Sequence, residues 1–492
     1  MKTMKNLINN TIILGLMILL TTGCGDDFLD RSDPGVLTWD KLYNSKEDFD
    51  AALAGCYQSI MGPATDNVWF GDIAGDNVYV TRYQPSGTMR DIDQLVVAAQ
   101  DGSLSSYWSG NYTTIERVNM LLDRLEGSAV EDNDKRVFEA EAKFLRAYSY
   151  FNLVRIFGGV PLYDKLADIG TIYSTPRSTA DEVLNLVIND LNEAKNIDSY
   201  RSSEDMATAG GKASTVAAKT LLGKVYLWKK DFTNAETTLA DVVATSGKQL
   251  EDLSVLYDPD SPFNNEIIFS INYDRVNGFN SPFVGTTIPY NSPVGSVYPN
   301  ILEKTGSGYL MVEQYIAGKF DLQDKRAALI DTLTFENLGL VDTNVFSRKY
   351  VDTLTTFNGW SGSNTIILRY ADVLLMYAEA LNENGKTAQA YPYINEVRNR
   401  AGLDDLPEGF SKEQMFEALA DERQKEFLME GDRWFDLIFR GFDFLKQEME
   451  EYIPNAYLEQ SRIITVKDNC MLFPIPESQI QVKPILEQNP GY

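Results

Sequence analysis

The stretch YADVLLMYAEALNENGKTAQAYPYINEVRNRAGL, residues 370–403, decides the fold. Its apolar residues recur every three or four positions on both sides of Asn384-Gly385, a pair that turns a chain. Tyr377-Ala378-x₂-Leu381 before the turn and Ala390-x₃-Ile394 after it keep the offsets of a tetratricopeptide hairpin. In such a hairpin two antiparallel helices approach closely because small residues face each other. Pro392 is the misfit: a proline inside a helix removes a hydrogen bond and is expected to kink it.

A second copy lies upstream in ASTVAAKTLLGKVYLWKKDFTNAETTLADVV (213–243). Leu222-Gly223-x₂-Tyr226 and Ala235-x₃-Leu239 hold the same offsets, with Lys219 where the pattern has tryptophan. A simple solenoid sets successive copies about 34 residues apart. These two are far more widely separated, so the repeats are expected to frame an inserted region rather than form one continuous array.

Helical periodicity extends outward from both copies. KEDFDAALAGCYQSIMG (46–62) puts Cys56 on an apolar face, and residues 104–125 carry Trp108, Tyr112, Ile115, Asn119 and Leu122 at spacings of three and four. Residues 131–165 show two apolar registers, which predicts a helix buried between neighbours; Gly158 and Gly159 stop it and Pro161 prevents its resumption. Further helices are predicted at 182–194 and 411–441, the latter capped by Ser411, broken at Gly431 and ended at Gly441. The inserted region has another texture. NEIIFSINYD (265–274) reads as a strand. Residues 276–300 are rich in Gly, Pro, Asn and Ser with Phe279, Phe283, Tyr290 and Tyr298 interleaved, and short strand-like runs surround GWSGSN (359–364). The tail, 469–492, is proline-rich and expected to lie extended across the body.

The amino terminus carries Lys2 and Lys5, then the apolar run TIILGLMILL (11–20). A membrane-spanning helix needs roughly twice that length, so the segment reads as a secretory signal peptide. Gly23 precedes Cys24 and Leu20 stands at −4, as in a bacterial lipoprotein box; Thr21 departs from it at −3, where an aliphatic residue is usual. Acylation of Cys24 is therefore expected, each buried CH₂ of a lipid tail contributing about 0.8 kcal/mol to membrane attachment. The resulting division is signal peptide 1–23, acylated tether 24–45, helical region 46–245, insertion 246–365 and C-terminal helices with tail 366–492.

Composition bounds the chemistry. The 492 residues are 44% hydrophobic, with a formal net charge of −27 that argues against nucleic acid as a partner. Three cysteines do not make a disulfide framework. The chain has no histidine, which removes Ser-His-Asp and Cys-His nucleophiles and histidine-based metal sites. Glu422, Glu426, Glu430, Asp432 and Asp436 lie along a helix among Arg423, Arg433 and Arg440. That is a pattern for ion pairing rather than for two carboxylates facing across a glycosidase cleft. No catalytic residue, metal ligand or cofactor is assigned. No EF-hand series is present, and a calcium site built from distant loops stays open.

Several co-linear blocks resemble the SusD/RagB family of Bacteroidetes outer-membrane lipoproteins: CGDDFLD (24–30), EAEAKFLRAYSYFNLVRIFGGVPL (139–162), LRYADVLLMYAEALNE (368–383), INEVRNRAGL (394–403), DERQKEFLMEGDRWFDLIFRG (421–441), LFPIPESQI (472–480) and QNPGY (488–492). The resemblance covers essentially the whole chain. It implies a mainly α fold of tetratricopeptide-like repeats with a large loop and short-strand insertion. It also implies a non-enzymatic protein that captures a nutrient, usually a glycan, over a SusC-like TonB-dependent transporter. Asp26-Asp27 resembles the family's surface-export signal, placing the protein on the outer membrane facing outward.

Sugar rings stack on flat aromatic faces while their hydroxyls need amide or charged partners. Trp108 with Asn111, in YWSGN, is one candidate, since the resemblance implies a Trp–Asn glycan contact in this region; core packing is the competing role for Trp108. Tyr290 in IPYNSP and Trp360 in NGWSGSN sit in loops where a core role is less natural, with Tyr273, Tyr79 and Asp76 as further candidates. Two other functions stay open: peptide capture within the same family, and a scaffold subunit of the transporter complex whose aromatic loops make the contact.

Overall fold

The computed structural model describes residues 43–492 apart from 85–86, 203–209, 278, 291, 294–297, 299–305, 353–360, 453–463 and 465. The signal peptide, Cys24, most of the tether and Trp360 lie outside the described residues.

Helices dominate. The amino-terminal half contains α1 (Lys46–Ser59), α2 (Met61–Ile73), α3 (Gly102–Glu126), α4 (Asp132–Phe157), α5 (Ile169–Ser174), α6 (Ala180–Ala194), α7 (Thr215–Trp228) and α8 (Phe232–Thr245). After the insertion come α9 (Tyr370–Glu383), α10 (Thr387–Arg400), α11 (Lys412–Glu426), α12 (Arg433–Arg440), α13 (Phe442–Tyr452) and α14 (Glu477–Val482). Capping chemistry starts several of them: Ser45, Thr179 and Ser411 each form a reciprocal capping box. The long double-register helix α4 is buried along nearly all of its second half and ends at Gly158, whose φ of 71° no β-carbon would favour.

The two tetratricopeptide hairpins are α7–α8 and α9–α10, and they stack on each other. The Asn384 amide donates to the Phe232 carbonyl at 3.0 Å and to Glu236 at 2.8 Å, and Lys386 pairs with Glu236 at 2.6 Å. The repeats frame an insertion, as expected, but the array is continuous in space although not in sequence, which corrects the expectation that they form no continuous array. Gly223 sits against Leu239, where a β-carbon would come within 2.5 Å of the leucine side chain. Lys219, in the tryptophan position, pairs with Asp241 at 2.6 Å. Helix α10 continues through Pro392.

The insertion leaves and returns through one stem. Strand β2 (Ile267–Ile271) pairs antiparallel with β6 (Thr365–Arg369), which runs directly into α9. Between them lie β3 (Leu310–Val312), which pairs antiparallel with β1 (Val78–Val80), and a hairpin of β4 (Ile330–Asn337) and β5 (Leu340–Ser347). The hairpin turns at Leu338 and Gly339, with φ of 53° and 81°, the left-handed pair that a two-residue turn needs. The strand-like runs expected around GWSGSN are β5 and β6, one on either side of it.

Buried charge fastens the stem to the C-terminal helices. Arg369 meets Glu266 at 2.8 Å, Glu426 at 2.6 Å and Glu430 at 2.7 Å. Arg326 meets Glu422 at 2.6 Å and Glu426 at 3.1 Å, Lys349 meets Glu430 at 2.6 Å, and Arg400 bridges Glu266 and Glu426. These carboxylates are paired, as their helical pattern predicts. The tail is pinned across the body, with Glu477–Val482 helical where extended chain was expected: the Phe473 N–H donates to the Ile156 carbonyl at 2.8 Å, and the Asn489 amide donates to the Phe157 and Phe473 carbonyls. Cys56 and Cys470 are both buried and unpaired.

Two variants test this frame. At Gly71 a β-carbon would lie 1.7 Å from the Gly431 carbonyl oxygen, backbone against backbone. Gly71→Ala is expected to cost about 3 kcal/mol, read as a lowered denaturation midpoint. Burial alone would raise the Glu426 carboxyl, but Arg400, Arg369 and Arg326 hold it well below the ordinary glutamate range. Its stabilisation is thus present above the usual value of 4.5 and lost as pH falls through the depressed folded value. Glu426→Gln, which removes the carboxylate that Arg326, Arg369 and Arg400 share and leaves each with its remaining partners, is expected to cost about 3 kcal/mol at pH 7 and to flatten the acid limb of the stability profile.

Candidate ligand-binding site

The antiparallel register of β1 and β3 sets Val78 opposite Val312, Tyr79 opposite Met311 and Val80 opposite Leu310. Tyr79 and Met311 turn into a small satellite core with Ile288, Tyr298 and Phe346. This core supports what emerges above it. After β1 the chain turns at Thr81, whose N–H donates to the Tyr309 carbonyl at 3.0 Å, and presents Arg82 and Tyr83. From the insertion, Tyr290 arrives beside them. Gly308 permits the approach: its φ is 58°, and a β-carbon there would lie 2.3 Å from the Tyr290 nitrogen.

The rings of Tyr83 and Tyr290 lie 4.9 Å apart, inclined at 30°, and form a shelf with Tyr290 exposed. The β4–β5 hairpin fixes its polar edge. Asp342 accepts from Arg82 at 2.6 Å and from the Tyr83 hydroxyl. The Asn337 amide donates to the Tyr83 hydroxyl at 2.8 Å, to the Tyr290 carbonyl at 3.2 Å and to Asp342 at 3.2 Å. The Arg82 guanidinium lies 5.0 Å from the Tyr83 ring centroid. Burial and the carboxylate of Asp342 push the Tyr83 phenol above its usual value, so it stays a neutral donor. A flat apolar face flanked by a guanidinium, an amide and a carboxylate can hold a ring bearing hydroxyls without activating any bond.

Of the residues proposed from sequence, the structure brings Tyr290 into this shelf. Tyr79 is 2% exposed and belongs to the core beneath it. Asp76 is a correction: it is sealed at 1% exposure and held by Arg433 at 2.6 and 2.7 Å. Asn111 is another, because it lies on the inner face of α3 with its amide donating to the Tyr107 carbonyl at 2.8 Å. Trp108 packs against Phe157 at 5.1 Å, away from the shelf. Tyr273 is half-buried, its N–H donating to Asn364 at 3.0 Å. Arg82, Tyr83, Asn337 and Asp342 were not anticipated. The signal for the first two was TRYQPSG (81–87), an aromatic in a turn-rich segment after an apolar strand. For the others it was TLTFENLGLVDTNVF (332–346), alternating residues around a turn.

The chain is a helical-repeat frame with an aromatic shelf beside its insertion, and comparison with known proteins names the family. Residues 27–227 match the family model described as "Starch-binding associating with outer membrane", and residues 336–492 match that of the SusD family. The chain belongs to the SusD/RagB family. A SusD-like protein of Formosa agariphila is 26% identical over 539 aligned positions, covering 99% of both chains. The starch-binding protein SusD of Bacteroides thetaiotaomicron is 24% identical, covering 77% of this chain and 76% of that one. Among solved structures, B. fragilis NanU superposes with a TM-score of 0.78 at 24% identity over 94% of this chain and 99% of that one. A laminarin-binding SusD-like protein superposes at 0.77 and 24% identity, over 92% and 100%. These structures share the fold.

Gly308→Val tests the assembly of the shelf. It is expected to displace the Tyr290 segment and open the ring pair beyond 4.9 Å in a crystal structure of the variant, with the helical frame unmoved.

Proposed function

We propose that this chain is an outer-membrane surface lipoprotein, acylated at Cys24, that binds a glycan and delivers it to a SusC-like TonB-dependent transporter. The Tyr83–Tyr290 shelf carries this reading: two fixed rings beside Arg82, Asn337 and Asp342 offer both halves of sugar recognition. Family membership supports the class of ligand, since relatives are named for starch and laminarin binding. The lipoprotein box and the family description support the membrane. Among the described residues no helix is long and apolar enough to cross one. The protein acts by binding alone: the chain lacks histidine, and the carboxylate at the shelf is occupied by Arg82, Tyr83 and Asn337. Trp360, which precedes Ser361 in the sequence and lies outside the described residues, is proposed as a further contact.

Calorimetry against α- and β-linked gluco-oligosaccharides and a peptide panel tests the reading. Saturable binding of an oligosaccharide is expected, weakened about tenfold by Tyr83→Ala or Tyr290→Ala through loss of one stacking face. Chromatography of the same samples should show the sugar unshortened. Binding of peptides alone would replace glycan with peptide. Loss of the transporter complex in Tyr290→Ala or Trp360→Ala, with ligand binding kept, would make the loops a docking element.

A further inference from the structure

A cavity of about 290 Å³ opens between α3, the segment after α4, α5 and α14, and shares no residue with the tyrosine shelf. A cavity of about 150 Å³ already accepts benzene, so this one has room for a small aromatic molecule with a substituent. Trp108 and Tyr112 of α3, 5.0 Å apart, form one wall together with Ile115. Tyr163 and Leu486 stand among the other lining residues, and Ile172 of α5 is half exposed at the mouth.

The walls are held by contacts that need no ligand. The Tyr112 hydroxyl donates to the Pro161 carbonyl at 2.7 Å. The Asn119 amide donates to the Tyr163 and Lys165 carbonyls at 2.9 and 3.1 Å, and Arg146 donates to Asn119 at 2.7 Å. The cavity is therefore preformed.

One charge is built into it. Lys483, at the end of α14, is 7% exposed. Its Nζ donates to the Tyr163 hydroxyl at 2.9 Å, and that hydroxyl donates onward to the Ile172 carbonyl at 3.1 Å. Among the described residues no carboxylate pairs with Lys483, and burial lowers its ammonium to about 8. The other charged lining groups, Glu116 and Lys165, are exposed at the rim. A buried ammonium with a phenol as its partner lacks the counter-charge that normally compensates desolvation. A ligand carboxylate would supply it.

We propose that this cavity is a second binding site, for a small monocarboxylate with a flat apolar body. The carboxylate meets Lys483 and the body lies against Trp108, Tyr112 and Leu486. The site is independent of the glycan shelf.

Calorimetry on the full mature chain tests this with 3-phenylpropanoate as the probe. Its amide, 3-phenylpropanamide, is the uncharged control, and glucuronate is the polar control of the same charge. Saturable binding of phenylpropanoate is expected, about tenfold or more tighter than either control, the range of a charge-assisted hydrogen bond. Lys483→Met should remove the preference for acid over amide, with Lys483→Gln read alongside. Tyr83→Ala with Tyr290→Ala should leave phenylpropanoate binding unchanged. Amide and acid binding equally, glucuronate binding as well as phenylpropanoate, a Lys483→Met variant with unaltered selectivity, or no saturable binding at millimolar probe would each overturn the proposal. The acid–amide comparison needs no variant, so it stands even where a substitution impairs folding.

Discussion

Glu426 is the residue on which the architecture converges. It is 1% exposed and receives Arg326 from the insertion, Arg369 from the end of the stem and Arg400 from the second repeat. Isolated buried ion pairs often contribute little net stability, because desolvation offsets attraction. A shared carboxylate differs in what it specifies. Three guanidinium groups from three separate segments meet at this one carboxylate, so misplacing any segment takes a buried cation away from the partner it shares with the other two. Glu266 and Glu430 extend the same logic to the strand entering the insertion and to Lys349. The cluster thus selects one arrangement of chain segments among many that bury similar apolar area.

This arrangement reconciles a long insertion with a stacked repeat. The α7–α8 hairpin touches α9 as neighbouring repeats do, yet some 120 residues of chain intervene, an interruption of the kind long insertions permit because loop-closure entropy grows only with the logarithm of length. Pairing Ile267 with Arg369 and Ile271 with Thr365 brings the two ends of the insertion together. Arg369 then closes the stem onto the helices. With both ends clamped, the chain between them is free to differ in texture from the frame, and it supplies the shelf.

The frame was legible because its signals are local. Helix periodicity, the Ser411 cap, the Gly158 and Gly441 stops and the Gly223–Ala235 offset all act within a few turns of chain, whereas the break expected at Gly431 falls earlier, after Glu426. The stacking of the two repeats was not legible, since nothing near residue 230 says that residue 384 will meet it. The site divides the same way. Tyr290 was readable as an aromatic in an irregular loop with no apolar stripe to join. Asp76 and Asn111 resemble ligand contacts in one dimension, but their partners, Arg433 and the Tyr107 carbonyl, lie respectively across the fold and on the inner face of a helix. Asn337 and Asp342 required the hairpin register, which turns on the left-handed pair Leu338-Gly339.

Trp108 and Tyr290 show how the two kinds of chain make two kinds of surface. A tryptophan on a helix stripe is fixed by its neighbours on the next helix, so any face it keeps is presented edgewise into a gap between elements. At Trp108 that gap is a half-open cavity carrying a single buried cation. A tyrosine in a loop has no such neighbours and must be held by polar contacts to its backbone and by one partner ring. Its face stays broad and open, with hydrogen-bonding groups around the edge. An extended, hydroxylated ligand suits the open shelf, because it can overhang the rings and keep its remaining hydroxyls in water. A compact, apolar, charged ligand suits the cavity, where the burial of Lys483 strengthens the attraction to an ammonium that the fold leaves uncompensated. In a chain with a net charge of −27, that retained internal cation is the feature that points most directly to an anion.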